Sequence, residues 1–350
     1  MNNSPEKHKK HIFQFGFYRL TFTQELLLKA ALLKGQSALT AWEQWKSRVD
    51  IETLDSTSFT LLPQLYQTLL AHGVEDPHMA RLKGIYRRTW YANQLQIRSL
   101  HTILAALAEA GIDAIVLGDA ALNFHGSNLP VSSFHLLLRQ EQLDPTFKTL
   151  TALDWEAPAP TPGQLSIQFK AQQQSLYIQT RLFWAFPQDE TDEQVWRRAI
   201  SLPNAGFLLD PTDQLLEICA RTFLKARGQT IQGLADAFLL IQRFGDDLDW
   251  QRLITQAQRY RMILPLRNTL TLLHQILELD VPNWVLPTLV QMPLLSEELS
   301  TYQVLAGEWQ PWLRAQSLPV MRPLEQYLFQ LRHRPFPGRQ ILKTLLVPRY

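Results

Sequence analysis

Several features that would place a chain in a known class at once are missing from this sequence. Cys219 is the one cysteine among 350 residues, which excludes an internal disulfide and a zinc site made of several cysteines. No apolar run approaches the roughly 18 residues of a membrane-spanning helix, and the polar, basic start has no apolar signal core behind it. We therefore expect a cytoplasmic protein without a membrane span.

Compact catalytic motifs are missing as well. The sequence has no P-loop, no G-x-G-x-x-G pattern and no G-x-S-x-G nucleophile elbow. Cys219 lies in the apolar stretch LLEICARTFLKA, so a buried structural thiol is a better interpretation than a nucleophile. Any functional site must be sought in a more dispersed pattern.

Charge is distributed unevenly along an otherwise ordinary globular composition. Apolar residues make up 46% and charged residues 19% of the chain, whose formal net charge is +2. Residues 1–20 carry a net +3 and residues 320–350 a net +5, which leaves −6 for the residues between them. Basic ends can bind phosphates, nucleic acid, an acidic partner or anionic lipid, although a pair of solvated tails is the simpler interpretation.

Apolar spacing predicts a mostly helical chain that is interrupted by a group of strands. Thr21 and Gln24 form a capping-box pattern ahead of the first helix, and Asp210 caps another helix that has a proline at its first position. Helices are predicted over residues 23–33, 37–49, 59–71, 77–110, 144–153, 233–243, 250–259, 265–279 and about 296–306, with prolines breaking the pattern at 282, 287 and 293. About four strands are predicted, over residues 112–117, 134–138, 165–169 and 175–183.

The helix predicted over residues 77–110 carries a long apolar stripe that includes Trp90. Within it, the run YRRTWY at residues 86–91 alternates aromatic and basic side chains, as some nucleic-acid-binding surfaces do. The helical spacing favours a core stripe with charged flanks. We expect the pairs Arg87-Arg88 and Arg197-Arg198 to be surface charges paired with acidic residues rather than phosphate contacts.

The stretch 111–139, GIDAIVLGDAALNFHGSNLPVSSFHLLLR, is the most informative part of the chain. It predicts a strand, a turn of small residues, a short helix, a loop and a second strand, which is how nucleotidyl-transferring domains build a phosphate and metal site. Such a site needs two acids alternating along the second strand. The second strand offers Ser133 and His135 instead.

At this point the chain resembles a bacterial family that is described as an uncharacterised nucleotidyltransferase family and is related in fold to the DNA polymerase β superfamily. No single block is diagnostic, but their order and spacing together support the resemblance from about residue 26 to residue 281. The blocks are LLLKAALL (26–33), LLPQLYQTL (61–69), LKGIYRRTWYANQL (82–95), AGIDAIVLGDAAL (110–122), RLF (181–183), VWRRA (195–199), the helix start at Asp210 and LADAFLL (234–240).

The resemblance implies an α+β fold, in which a small mixed sheet of nucleotidyltransferase type lies between largely helical N- and C-terminal regions. The expected organisation is a basic N-terminal arm (1–20), a helical N-terminal region (21–110), a nucleotidyltransferase-like α/β core (111–185), a helical region (186–295) and a helical, basic C-terminal tail (296–350).

The turn after the first strand departs from the family pattern. The family has a Lys-Gly-Ala-Ala turn, in which the glycine lets the backbone approach a triphosphate. Here the same positions read Gly118-Asp119-Ala-Ala, so the lysine is lost and an acid stands in place of the glycine. Gly118 and Asp119 are nonetheless the first candidates for nucleotide binding that the resemblance implies.

The strands depart from the pattern too. The family's Ser-Asp-x-Asp-Leu motif reads Ser132, Ser133, Phe, His135, Leu here, and the third acid, which precedes an Arg-Leu-Phe run, is Tyr177. Ser132 and Arg181 match the family and complete the nucleotide-binding candidates. Ser133, His135 and Tyr177 are the degenerate catalytic positions, so no catalytic residue is assigned.

Losing three acids has a direct physical consequence. Residues i and i+2 of a strand point to one face, so an Asp-x-Asp pair holds Mg²⁺ ions that bridge the triphosphate. Ser133, His135 and Tyr177 supply no negative charge at neutral pH. We therefore expect no cofactor and no nucleotide transfer, and a role in binding a protein partner or a nucleotide.

Three alternatives stay open at this stage. An active nucleotidyltransferase would modify a small molecule or protein with rearranged ligands, Asp119 and His135, and would need Mg²⁺ and a nucleoside triphosphate. A nucleic-acid-binding protein would use the basic ends and need no catalytic site. A transition metal bound by Asp119, His125 and His135 is disfavoured, because their spacing matches no metal motif and His125 is more simply part of a turn.

Overall fold

Helices make up most of the protein and enclose one larger sheet. The computed structural model describes residues 12–15, 18–158, 166–183, 191–203, 205–224, 230–294 and 298. The helices are α1 (Phe22–Leu32), α2 (Gly35–Lys46), α3 (Ser56–Phe59), α4 (Leu62–Ala71), α5 (His78–Glu109), α6 (Gly118–Phe124), α7 (Leu143–Ala152), α8 (Thr191–Arg198), α9 (Pro211–Leu224), α10 (Thr230–Phe244), α11 (Trp250–Arg259), α12 (Ile263–Leu277) and α13 (Val285–Gln291). The strands are β1 (Ile12–Phe15), β2 (Tyr18–Thr21), β3 (Ile115–Leu117), β4 (Phe134–Leu137), β5 (Ser166–Ala171), β6 (Gln174–Gln179), β7 (Ile200–Ser201) and β8 (Phe207–Leu208).

The predicted start of the first helix is confirmed. Thr21 Oγ1 accepts from the Gln24 backbone N–H, and the Gln24 side chain accepts from the Thr21 N–H, which together make the capping box. Asp55, which the sequence pattern did not identify as a cap, accepts from the backbone N–H groups of Thr57 and Ser58. This cap starts the separate short helix α3, so the helix predicted from residue 59 begins at Leu62 instead.

The sheet is mixed, as the α+β prediction required, but it has six strands rather than about four. The order is β5-β6-β4-β3-β8-β7, with β4 parallel to β6, β3 parallel to β8 and the other neighbours antiparallel. The strands β7 and β8 have two residues each. Such short segments carry no alternation that a sequence pattern could detect, and pairing with the rest of the sheet is what defines them.

Two hydrophobic cores flank the sheet. The helical core contains α1, α2, α4 and α9 to α13 together with Ile115, Leu117 and Leu137 from one sheet face. The sheet core lies on the other face, under the C-terminal part of α5. Helix α5 joins the two, because Leu82 and Ile85 belong to the helical core whereas its residues from Leu100 onward belong to the sheet core.

Two segments differ from the sequence-based predictions. Pro287 does not prevent a helix: it is the third residue of α13, where a backbone N–H has no intrahelical acceptor and its loss costs little. Part of the predicted basic arm forms the antiparallel pair β1 and β2. The predicted helix at 296–306 lies outside the described residues except for Glu298, as does the rest of the C-terminal tail.

None of the described helices combines the length and the apolar character that a bilayer crossing needs.

Candidate functional site

The turn between β3 and α6 is formed by Gly118 and Asp119, and we call it the α6 turn. Gly118 has φ +66°, a left-handed conformation that other residues adopt at a cost of roughly 1–2 kcal/mol. A side chain there would still have space, since a Cβ atom would lie 3.6 Å from His135 Cδ2. The backbone conformation, rather than a lack of space, therefore requires glycine at this position. The turn places Asp119 at the end of β3, beside the start of β4.

Asp119 is held by two partners from different elements. Its Oδ2 accepts from Ser132 Oγ at 2.9 Å, and its Oδ1 accepts from Arg221 Nη1 at 3.1 Å. Ser132 lies just before β4 and Arg221 lies in α9. The carboxylate of the α6 turn is thus already paired within the protein.

Arg221 is the centre of a buried group of charges, which we call the arginine cluster: Asp119, Glu217, Arg221 and Asp236. Arg221 Nε donates to Glu217 Oε1 at 3.1 Å, and its Nη2 lies 3.5 Å from Asp236 Oδ2 on α10. Asp236 is 2% exposed, and its Oδ2, Glu217 Oε2 and Arg221 Nη2 have no hydrogen bond. Three carboxyl groups therefore share one guanidinium in a largely buried setting.

This arrangement changes the proton affinity of its members. Burial raises the pKa of Asp236 to about 8, with Asp119 and Glu217 adding to the rise and Arg221 opposing it. Burial alone would lower the pKa of Arg221, but the surrounding carboxylates outweigh that effect and raise it. At neutral pH Asp236 therefore keeps its proton and adds no negative charge beside Arg221.

A row of polar side chains crosses the sheet beside the α6 turn, and we call it the sheet row: Ser133, His135, Tyr177 and Gln168. Ser133 Oγ and His135 Nε2 share a hydrogen bond of 3.0 Å, and the rings of His135 and Tyr177 stack with centroids 4.8 Å apart. Gln168 Nε2 donates to the Tyr177 hydroxyl at 3.0 Å. The sheet row contains no carboxylate, and hydrogen bonds and ring stacking link its members.

One known protein family matches the chain. The model of a family described as uncharacterised nucleotidyltransferase matches residues 58–278, more than half of the chain. The chain belongs to this family. No curated protein and no solved structure matches it significantly.

The family match does not test which residues correspond to the family's motifs, so those assignments stay predictions. The positions assigned to the family's three acids, Ser133, His135 and Tyr177, are neighbours on one sheet face, because His135 pairs with Tyr177 across β4 and β6. Metal-binding acids at these positions would converge. Among the described residues, no group of three or more His, Cys, Asp and Glu side chains has an arrangement that could hold a metal ion.

The four residues predicted to bind a nucleotide do not all lie together in the structure. Gly118, Asp119 and Ser132 meet at the α6 turn. Arg181 lies beyond the far end of β6, where the Gln179 side-chain amide donates to its carbonyl oxygen at 3.0 Å. Because β4 and β6 run parallel, that end of the sheet is the one away from Ser132.

The three residues of the disfavoured metal site do not converge either. His125 lies past the C-terminal end of α6, whereas Asp119 lies at its N-terminal end. His125 Nε2 is 2.9 Å from Gln214 Oε1, and the ring packs edge-on against Phe244. Burial lowers the pKa of His125, so it is a neutral, packed side chain.

The predictions for the two arginine pairs have different outcomes. Arg198 makes two hydrogen bonds to the buried Asp213, of 2.9 and 3.2 Å, so its predicted pairing with an acid is confirmed. The same prediction is wrong for Arg87 and Arg88, which are exposed and pair with no acid in the part of the chain that the structure describes.

Cys219 is fully buried, and burial raises the pKa of its thiol to about 12. The interpretation as a structural thiol is confirmed.

Sequence analysis missed the arginine cluster. Glu217 and Arg221 are spaced i, i+4 in the mostly apolar stretch LLEICARTFL of α9, and Asp236 stands alone in the apolar run LADAFLL of α10. Charged side chains on faces that must be buried are the signal that could have revealed the cluster, because a buried charge requires a partner.

Proposed function

We propose that this nucleotidyltransferase-family protein has lost metal-dependent nucleotide transfer and acts as a binding module for a protein partner or a nucleotide. The observation that carries the proposal is the state of Asp119. It is the acidic side chain at the α6 turn, and it is bound to Ser132 and Arg221. The neighbouring sheet row offers no carboxylate at the positions assigned to the family's acids.

Electrostatics explains why this state is unfavourable for catalysis. Magnesium in nucleotidyl transfer is held by carboxylate oxygens in near-octahedral geometry and neutralises the charge that develops on the phosphates. For Asp119 to serve as such a ligand, its oxygens would have to be shared with Ser132 and Arg221 or released from them. Release would remove one carboxylate from a largely buried guanidinium, and loss of a partner from a buried ion pair costs up to about 3–5 kcal/mol.

Two features support retained binding. The α6 turn keeps the left-handed glycine at Gly118, and Ser132 keeps a hydroxyl beside the turn. A nucleotide would then bind without a metal ion, through backbone groups and hydroxyls. A protein partner would instead use the shape of the sheet edge and need no nucleotide at all.

Calorimetric titration of the full chain tests the proposal. Each nucleoside triphosphate is titrated with Mg²⁺, with Mn²⁺ and with EDTA, into the wild type, Asp119→Asn and the control Asp113→Asn. Asp113 is an exposed acid six residues upstream, just before β3, so the control makes the same chemical change outside the arginine cluster. We expect the metal ion to have no effect on triphosphate binding in any of the three proteins.

The outcomes separate the hypotheses. Binding that is equal with metal and with EDTA identifies a nucleotide sensor, and no binding identifies a partner-binding scaffold. Metal-dependent binding that is lost in Asp119→Asn and kept in Asp113→Asn would overturn the proposal in favour of an active enzyme with rearranged ligands. The third hypothesis, nucleic-acid binding by the basic ends, concerns segments that lie largely outside the described residues.

A further inference from the structure

The middle of α5 belongs to neither hydrophobic core. Between Ile85 in the helical core and Leu100 in the sheet core, Asn93 is the one fully buried residue. Three large side chains in this interval are mostly exposed: Trp90 (52%), Tyr91 (62%) and Leu95 (51%). The core stripe predicted through Trp90 is therefore wrong at its centre, and this apolar surface faces solvent.

The same surface is basic. Arg87, Arg88 and Arg98 are exposed and pair with no carboxylate among the described residues, and α5 contains no acidic residue before Glu109. Together with Trp90, Tyr91 and Leu95 these arginines form what we call the α5 patch. At 100° per residue, its members other than Trp90 lie on the side of the helix away from Asn93 and Leu100, and Trp90 lies at the margin, about 60° from Asn93.

A small polar cavity adjoins the patch. It has a volume of about 170 Å³ and lies between α5 and the loop after α6. Its walls are the rings of Tyr86 and Trp90 and the side-chain amides of Asn93, Gln94, Asn123 and Asn128.

The cavity wall is held in place and leaves polar groups unused. The Asn93 amide donates to Leu129 O at 2.9 Å and accepts from the Val131 N–H at 3.0 Å, which ties the loop to α5. The side-chain amides of Gln94 and Asn128, in contrast, make no hydrogen bond within the described part of the chain. Amides of this kind can both donate to and accept from the edge of a base.

We propose that the α5 patch and its cavity bind single-stranded nucleic acid, with bases stacking on Trp90 and Tyr91 and one base entering the cavity. Exposed aromatic rings among unpaired arginines match what single strands require, namely stacking platforms beside cations that contact phosphates. The cavity is smaller than the roughly 300–1,000 Å³ of sites for drug-sized ligands, which suits one base. Stacking on an α5 ring needs an unpaired base, so a duplex is a poor fit.

Two other occupants fit less well. A second copy of the chain would bring like-charged arginines together at the patch. An acidic peptide would neutralise the arginines but would leave the amide-lined cavity unused. The proposal is independent of the proposed function, because the cavity lies near the C-terminal end of α6 and the α6 turn lies at its N-terminal end.

Fluorescence anisotropy with the full chain tests the proposal. The probes are labelled 12-nucleotide RNA and DNA single strands of mixed sequence and the corresponding duplexes. The variants are Trp90→Ala and Arg87→Gln/Arg88→Gln. The matched controls are Trp284→Ala, which removes a tryptophan that is 44% exposed outside the patch, and Lys148→Gln/Arg197→Gln, which removes two exposed cations elsewhere.

We expect the wild type to prefer single strands. Trp90→Ala should raise the Kd about tenfold, which lies within the range for loss of one stacked base. The arginine double variant should reduce the slope of log Kd against log salt by about 1.4, because each phosphate contact on a single strand contributes about 0.7. Both controls should bind as the wild type does, because they leave the α5 patch intact.

The contrary outcomes are equally distinct. Unchanged Kd and salt slope in both patch variants, with far-UV circular dichroism showing intact folds, would place any nucleic-acid binding at the basic ends and overturn the proposal. The proposal also fails if the wild type sediments as a dimer that Trp90→Ala dissociates while nucleic-acid binding stays the same. The patch would then be a self-association surface.

Discussion

Replacing Asp236 by asparagine should change how the stability of the protein depends on pH. The reference carboxyl titrates near 3.8, whereas burial raises the pKa of Asp236 to about 8 in the folded protein. Between these values the folded state holds a proton that the unfolded state has released, so stability falls as pH rises. Asparagine has nearly the same shape and cannot ionise, so the variant lacks this contribution.

The magnitude follows from one proton. A single group contributes a slope of about 1.4 kcal/mol per pH unit, so the wild type should lose about 2 kcal/mol relative to Asp236→Asn between pH 6 and pH 7.5. The groups that set this titration are Asp119 on α6 and Glu217 and Arg221 on α9, and all three are retained in the variant. Above pH 8 the difference should level off, because the carboxyl is then ionised in both states.

Urea unfolding followed by tryptophan fluorescence at half-unit pH steps measures this difference. Asp246→Asn is the matched control, since Asp246 is an exposed acid just beyond the same helix, and its curve should run parallel to the wild type. Parallel curves for the wild type and Asp236→Asn from pH 6 to 7.5 would refute the reasoning, because they would mean that Asp236 is ionised in the folded protein. The ionised Asp236 would then add a negative charge beside Arg221.

Three further predictions concern single side chains. Arg221→Met should lower the free energy of unfolding by about 3–5 kcal/mol, because it leaves buried carboxylates without a cation; urea titration at pH 7 measures this, and a loss below 1 kcal/mol would contradict the cluster. Gly233→Ala should destabilise by about 1–3 kcal/mol, because its Cβ would lie 2.0 Å from Thr222 Oγ1. Gly84→Ala, with open space around it, should instead stabilise by up to about 1 kcal/mol. Thermal melts of the two glycine variants and the wild type measure both effects. Cys219 should resist an aromatic disulfide reagent at pH 8 in native buffer and react in 8 M urea, and rapid native labelling would contradict its burial.

Periodicity and capping chemistry predicted most of the longer helices of the fold. The capping box at Thr21 and the uninterrupted spacing of residues 77–110 each correspond to a helix in the structure, since both signals are local. The pattern did not predict β7 and β8, which exist only because residues distant in the chain pair with them. It also treated Pro287 as a helix breaker without knowing that the helix would start two residues earlier.

The candidate site was predictable in outline and not in its electrostatics. The spacing of small residues after a short strand located the α6 turn. The family resemblance assigned His135 and Tyr177 to positions of metal-binding acids, and in the structure the two residues pair across β4 and β6. Nothing in the local sequence indicated that Arg221, about a hundred residues later, would bind Asp119. The exposure of Trp90 was missed for a related reason: spacing identifies an apolar side of a helix, and only the tertiary structure determines whether anything covers it.

The two cores also have different chain topologies, and this has a consequence for folding. The sheet core is built from residues that follow one another between Leu100 and Leu208, whereas the helical core joins α1 and α4 to α9, α10 and α12 from much later in the chain. Closing such a long loop is entropically costly and slow. Formation of the sheet core would shorten the effective loop, so the sheet core should acquire hydrogen-exchange protection before α1 does. The helical core would then assemble last, around a sheet core that is already folded.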